Sequence, residues 1–190
     1  MKPFEKIKSI ATPLDKVNVD TDQIVPKQFL KLIQRTGFGQ YLFYDWRYER
    51  EGVQRKDFIL NDPAYKNSKI LLARDNFGCG SSREHAVWAL DDYGFKVIIS
   101  TSFADIFYNN CFKNGILPIR VSDDILQKLF STKSEIEVNL EKQTIKIDNI
   151  PISFNIEPHW KKILLEGLDD IAMTLQHEEQ ITKYERSHKI

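Results

Sequence analysis

The sequence predicts an α/β fold with a parallel βαβαβ core and added antiparallel strands. Three short runs rich in Ile, Leu and Val, at 69–73, 96–100 and 116–121, lack alternation of apolar and polar residues, as expected of strands covered on both faces. Helical periodicity fills the two intervals between them. A later stretch, 135–148, alternates with period two, which is typical of a half-exposed antiparallel hairpin.

Each interval between the predicted parallel strands carries the signals of one helix. The first helix spans about 82–93, with apolar residues on one face and Gly94 as its terminator. Ser81 and Glu84, three residues apart, have the spacing of a capping box at its head. In the second interval Ser102 is a candidate N-cap, and a Lys-Asn-Gly sequence ends the helix.

The remaining segments complete a mixed fold. We predict a short helix at 122–130, a strand at 152–156, a helix at 158–167 that starts near a proline and ends at a glycine, and a C-terminal helix over 167–187. Residues 20–56 are irregular and rich in aromatic side chains. Long irregular segments are uncommon unless they are functional, so this one is predicted to face a substrate.

Length and composition indicate a single domain, residues 1–190, in an ordinary globular protein. Lys plus Arg equals Asp plus Glu at 27 each, which argues against nucleic acid or an acidic membrane as partner. No apolar run is long enough to span a membrane and no secretory signal is evident, so a cytoplasmic location is expected. The two cysteines, Cys79 and Cys111, have no CxxC spacing, and neither a disulfide framework nor a metal site is expected on this chain.

The stretch "NFGCGSSREHAVWAL" at 76–90 holds more chemistry than a turn requires. It follows a predicted strand and opens a helix, so its free amides and positive dipole end favour an anionic ligand at the carboxyl edge of the sheet. Arg83 adds a two-pronged donor that fits a carboxylate. Residues 27–56 also carry seven basic against three acidic side chains. A small carboxylic acid is the predicted ligand class.

Other interpretations of this turn are weaker. A dinucleotide-binding GxGxxG requires glycine where Arg83 stands, and neither a P-loop nor a GxSxG serine is present. Cys79 has no resolving cysteine nearby, so a small packed residue is favoured over a reactive thiol. His85 lacks a partner at metal-ligand spacing, and we assign it no chemistry.

At these residues the sequence resembles the small subunits of 3-isopropylmalate dehydratase, which are related to the swivelling C-terminal domain of aconitase. Five segments carry the resemblance in order: "NVDTDQIVPKQFL" at 18–30, "TGFGQYLFYDWRY" at 36–48, the glycine-serine turn at 76–90, "SFADIFYNNCFKNGILP" at 102–118 and "GLDDIAMTLQHEEQI" at 167–181. The resemblance implies a swivelling β/β/α domain and a hydro-lyase of leucine biosynthesis, active as a heteromer. A 4Fe-4S cluster is then expected on the large subunit and no cofactor on this chain.

The resemblance also implies roles for individual residues. Ser81 looks like the serine that removes a proton beside a carboxylate, and Ser82 and Arg83 resemble the residues that bind the carboxylate. Asp22 matches an active-site aspartate of the pattern, and Arg35 is a candidate second substrate arginine. Physically, a helix N-terminus with a neighbouring arginine can stabilise the alkoxide that a serine base requires.

Two questions stay open at this stage. Four apolar residues fit either contact with an isopropyl group or ordinary core packing, and neither is favoured: Phe29, Leu30, Leu32 and Ile33. The small subunit of a related hydro-lyase, of homoaconitate or methylmalate type, is the alternative function. A non-catalytic binding module of the same fold is a rival from another class.

Overall fold

Short apolar segments build two four-stranded sheets in the computed structural model, which describes residues 1–31 and 36–188. The strands are β1 (Ile7–Ser9), β2 (Ala11–Leu14), β3 (Tyr48–Arg50), β4 (Val53–Gln54), β5 (Ile70–Ala73), β6 (Val97–Ser100), β7 (Leu117–Arg120), β8 (Ile136–Asn139), β9 (Thr144–Ile147) and β10 (Ile150–Ser153). The order β2-β5-β6-β7 makes a parallel sheet, and the order β1-β8-β9-β10 makes an antiparallel one. The predicted parallel core and antiparallel hairpin are confirmed.

The helices are α1 (Thr21–Ile24), α2 (Tyr44–Arg47), α3 (Glu84–Tyr93), α4 (Asp105–Lys113), α5 (Asp123–Ser131), α6 (Pro158–Glu166), α7 (Asp170–Leu175) and α8 (Glu178–His188). Single 3-10 turns at 27–31, 38–41, 59–61 and 63–65 supplement them. Within the described ranges, no helix combines the length and the apolar character that crossing a membrane requires.

The parallel sheet is covered on both faces, which explains its unalternating strands. Along β5, Leu71 and Ala73 face one hydrophobic core, while Ile70 and Leu72 face the other. The first core includes the buried face of α3, and the second includes side chains of α5 and the antiparallel sheet. A fully buried Leu or Ile contributes about 1.5–3 kcal/mol, so residues of one strand stabilise both layers.

Two strands escape sequence prediction because they are short and interrupted. β1 has three residues and includes the exposed Lys8, and β2 has four and includes Pro13. Proline is tolerated in β2 because this strand forms the edge of the parallel sheet and needs no amide donor there. Only Ile10 separates the two strands, yet they belong to different sheets.

The predicted capping box at the head of α3 is wrong. The N-cap is Arg83, which makes no side-chain capping bond, and the Glu84 Oε1 atom accepts a hydrogen bond from Asn114 Nδ2 at 3.0 Å instead. Ser102 is likewise not the cap of α4, whose N-cap is Ala104. The Ser102 hydroxyl instead accepts a hydrogen bond from the Asn76 amide at 2.7 Å, so in both cases a contact with another segment replaces the local bond.

The C-terminal prediction of one helix is also wrong, because the chain bends after α7 and resumes as α8. Glu178 and Glu179 open α8, where their charges complement the positive end of the helix dipole. The strand predicted at 152–156 is β10, which begins at Ile150 and ends at Ser153.

Candidate functional site

The loops that follow β2, β5 and β6 lie side by side at the carboxyl edge of the parallel sheet. The Gly78 amide donates to the Val19 carbonyl at 2.7 Å, and the Phe77 amide donates to the Ser102 carbonyl at 3.1 Å. These bonds continue the strand order beyond the strands themselves. The glycine-serine turn is therefore the middle loop of three, at the edge where open α/β sheets bind ligands.

Two glycines of this turn are required by its geometry. Gly78 has φ +76°, and a Cβ atom there would overlap the ring of Phe107. Gly80 has φ +85°, and a Cβ would approach the Asp20 Cβ to 3.3 Å. Both backbones occupy the left-handed region that disfavours other residues. The turn thus passes closely against the loop after β2 on one side and against α4 on the other.

The neighbouring loop on the β2 side contains α1, which a capping box closes. The Gln23 amide donates to Asp20 Oδ1 at 2.7 Å, and the Asp20 amide donates to Gln23 Oε1 at 2.9 Å. Asp20 and Gln23 satisfy the first free amides of the helix in this way. α1 then joins the turn through Thr21, whose amide donates to the Cys79 carbonyl at 3.0 Å and whose hydroxyl donates to the Ser81 carbonyl at 2.7 Å.

Arg83 and Asp22 form an ion pair between the two loops. Arg83 Nη1 donates to Asp22 Oδ1, and Lys27 Nζ lies 3.6 Å from Asp22 Oδ2. The Arg83 side chain is 16% exposed and the Asp22 side chain 38%. Because the pair uses Nη1, the edge of the guanidinium formed by Nε and Nη2 remains as a two-pronged donor for a carboxylate.

A cavity of about 260 Å³ opens beside this ion pair, between the residues that lead into α3 and the first turn of α4. Its wall is made of Thr21, Gly78, Gly80, Ser82, Arg83, Ala104, Asp105, Ile106 and Phe107. Larger depressions, of about 840 Å³ beside the N-terminal strand and about 470 Å³ beside Trp46, contain none of the predicted site residues. The smaller cavity is the candidate site because it combines a guanidinium with two helix starts.

The structure brings four of the five predicted site residues together. Ser82 and Arg83 line the cavity, Asp22 is paired with Arg83, and Ser81 is an exposed residue of the same turn. Arg35 lies outside the described residues. Thr21 was missed by sequence reasoning, since a four-residue helix gives no periodic signal.

Of the four apolar residues considered for an isopropyl group, the structure describes two. Phe29 and Leu30 are half-buried against the first core, and the Phe29 ring stacks on Tyr41 at 4.0 Å between centroids. Leu32 and Ile33 lie outside the described residues. Phe29 and Leu30 therefore already pack against the protein's own core.

The two thiols are not activated. Burial, followed by the negative charge of Asp20, raises the pKa of Cys79, and complete burial raises the pKa of Cys111 well above its ordinary value. Both therefore stay protonated at neutral pH. His85 packs edge-on against Phe38, with ring centroids 5.3 Å apart.

Sequence profiles and known structures show what the chain is similar to. A profile of the aconitase C-terminal domain matches residues 1–124, and a profile of the C-terminal domain of 3-isopropylmalate dehydratase small subunits matches residues 170–190. The chain is 54% identical to a 3-isopropylmalate dehydratase small subunit of Brevibacillus brevis, over 97% of this chain and 98% of that protein. It is 52% identical to the Bacillus subtilis small subunit, over 97% and 96%.

A solved structure agrees with the sequence relatives. The crystal structure of 3-isopropylmalate dehydratase from Methanocaldococcus jannaschii superposes with a TM-score of 0.71 at 26% identity, covering 95% of this chain and 99% of that one. The mixed arrangement of a parallel and an antiparallel sheet is therefore an aconitase-type fold.

Proposed function

This chain belongs to the family of 3-isopropylmalate dehydratase small subunits, and from that membership we propose that its glycine-serine turn supplies the base and part of the substrate cradle of the enzyme. The function is that of the small subunit in a hydro-lyase, which converts 2-isopropylmalate to 3-isopropylmalate by removing and re-adding water. A large subunit is its partner.

The side chains of this subunit do not fit an iron-sulfur cluster. Four thiolates are the usual ligand set, whereas this chain has two cysteines, one of them fully buried. Across residues 1–31 and 36–188, no three His, Cys, Asp or Glu side chains are grouped as metal ligands. We therefore assign the 4Fe-4S cluster to the large subunit and derive the steps below from this chain alone.

Ser81 is the proposed base. Its hydroxyl is exposed in a turn two residues before the N-cap of α3, where free amides and the helix dipole favour negative charge. A serine hydroxyl acts as a base only when its alkoxide is stabilised. The neighbouring guanidinium of Arg83 adds positive charge to the same turn, so the alkoxide form has two sources of stabilisation.

The dicarboxylate substrate is proposed to bind at the cavity beside this serine. Ser82 offers a hydroxyl from the cavity wall, and Arg83 offers its Nε–Nη2 edge to a carboxylate. Asp22 acts by orienting Arg83 through their ion pair, and Arg35 is proposed as the second substrate arginine.

We also propose that residues 1–190 form one domain, because both cores share the parallel sheet.

The observation that carries the proposal is the meeting of Ser81, Ser82, Arg83 and Asp22 at one sheet edge. Its test is Ser81→Ala in the complex reconstituted with the anaerobically prepared large subunit. Turnover of 2-isopropylmalate should be lost while assembly and stability persist, because the Ser81 side chain caps no helix.

Ser134→Ala is the matched control, since it removes an exposed serine hydroxyl that does not line the candidate cavity. Near-normal activity of the Ser81→Ala complex would remove the serine from the chemistry and favour a non-catalytic role. Assaying citrate and homocitrate in parallel defines substrate choice, and a preference for either over 2-isopropylmalate would contradict the proposed substrate.

A further inference from the structure

Thr21 ties the loop after β2 to the serine turn through a buried hydroxyl. Thr21 is 2% exposed, and its Oγ1 atom donates a hydrogen bond of 2.7 Å to the Ser81 carbonyl, across sixty residues of sequence. The Thr21 amide donates to Cys79 at 3.0 Å. One residue of α1 therefore holds the turn on both sides of Gly80.

The turn needs such a tether at Ser81. Gly78 and Gly80 both have positive φ, and glycine leaves the backbone more conformations than any other residue. Among the described residues, Ser81 has one hydrogen bond, which its carbonyl accepts from the Thr21 hydroxyl. It fixes the orientation of the peptide that carries the serine.

We infer that Thr21 is a positioning residue that sets the orientation of Ser81 for proton transfer. The inference rests on the proposed function, in which Ser81 is the base. A base acts only within hydrogen-bond reach of the proton it removes, and a misplacement of about 1 Å costs up to ~100-fold in rate. A hydroxyl that locks the Ser81 carbonyl therefore acts on turnover more than on substrate binding.

Thr21 acts through Ser81 and not directly on the substrate. Although Thr21 contributes to the cavity wall, a threonine hydroxyl has a single proton to donate, and that proton is engaged by the Ser81 carbonyl. Carboxylate binding needs donors, which Ser82 and Arg83 supply. Loss of the hydroxyl should consequently leave the Michaelis constant near that of the unaltered enzyme.

The test compares Thr21→Val with Thr21→Ser in the complete reconstituted complex. Valine keeps the shape of threonine and removes the hydroxyl, so we expect kcat to fall by roughly 10- to 100-fold with KM little changed. Serine keeps the hydroxyl and should restore kcat. Thr21→Ala, also without the hydroxyl, replaces Thr21→Val if the valine variant does not assemble.

Thr12→Val is the matched control. Thr12 is also a fully buried threonine on the β2 side, but its hydroxyl has no hydrogen-bond partner among the described residues. Its replacement should leave both kinetic constants unchanged. A similar loss of kcat in Thr12→Val and Thr21→Val would assign the effect to packing and overturn the inference.

A double variant separates this inference from the proposal on which it rests. If Ser81 is the base and Thr21 acts through it, Thr21→Val should not slow the residual turnover of the Ser81→Ala complex, measured at high enzyme concentration, since coupled residues are non-additive. Full activity of Ser81→Ala would defeat the proposed base itself. Loss of activity in Ser81→Ala together with a normal Thr21→Val would defeat only the role of Thr21.

Discussion

Replacing Arg83 by lysine tests whether the guanidinium has two duties at once. In the structure Nη1 is engaged by Asp22, and the Nε–Nη2 edge is the part that we propose binds the substrate carboxylate. A lysine ammonium is a point charge that cannot present a second, parallel pair of donors. We expect Arg83→Lys to keep the fold and to lose the oriented grip on the substrate.

The magnitude follows from the bonds that are lost. A hydrogen bond to a charged group contributes about 1.5–3 kcal/mol, so losing one oriented bond should lower kcat/KM by roughly 10- to 150-fold. Both constants should change, because a poorly oriented substrate raises the barrier as well as the dissociation constant. The cost in stability should be about 1 kcal/mol or less, since Asp22 is 38% exposed and water screens the pair.

The assay is steady-state kinetics of the reconstituted complex, with Arg74→Lys as the matched control. Arg74 is 20% exposed, close to the 16% of Arg83, and also pairs with an aspartate, Asp15 at 2.5 Å. It does not line the candidate cavity. Equal kinetic losses in the two variants, or wild-type constants in Arg83→Lys, would refute the assignment of Arg83 to substrate binding.

Three further changes probe the turn and its surroundings. Gly78→Ala should lower the free energy of unfolding by about 2–5 kcal/mol, because it combines a left-handed backbone with overlap on Phe107. Denaturant titration measures this free energy, and a change within experimental error would contradict the geometry. Thr12→Val should raise the free energy of unfolding by about 1 kcal/mol, since it removes a buried hydroxyl that has no partner among the described residues. A lower stability of the variant in thermal unfolding would show that the hydroxyl is hydrogen-bonded. Alkylation of Cys79 should keep accelerating as the pH rises past the ordinary thiol pKa, because burial and Asp20 raise the pKa of this thiol. Asp20→Asn, which keeps a capping side chain, should speed labelling at pH 8. An unchanged rate would exclude the charge effect.

The sequence predicts the parallel core because burial on both faces leaves a direct compositional signature. The unalternating run that becomes β5 is flanked by helical periodicity, and the two signals support each other. β1 and β2 leave no such signature, since three or four residues with Lys8 and Pro13 among them resemble a loop. Their existence depends on strands that lie far away in sequence.

Local capping rules succeed or fail with the surroundings of the candidate residue. Ser81 and Glu84 have the right spacing, but Glu84 is drawn to Asn114 of another helix, and the chain becomes helical only after Arg83. Asp20 and Gln23 satisfy the same rule in a helix too short to be recognised. The turn itself indicates an anionic ligand and Arg83 as its donor. Asp22 lies in another segment and was inferred from the family resemblance, and the Thr21 tether depends on tertiary contact.

Although one residue separates β1 from β2, their partner strands lie far apart in sequence, so the two strands can pair at different times during synthesis. β2 pairs with β5, and the loops of the site are complete once Ala104 has left the ribosome. β1 pairs with residues 136–138, which follow after about two to seven seconds at ~5–20 residues per second. During that interval the sheet that carries the candidate site can close while β1 remains unpaired. Mispairing during synthesis is therefore expected at β1, and not at the residues of the candidate site.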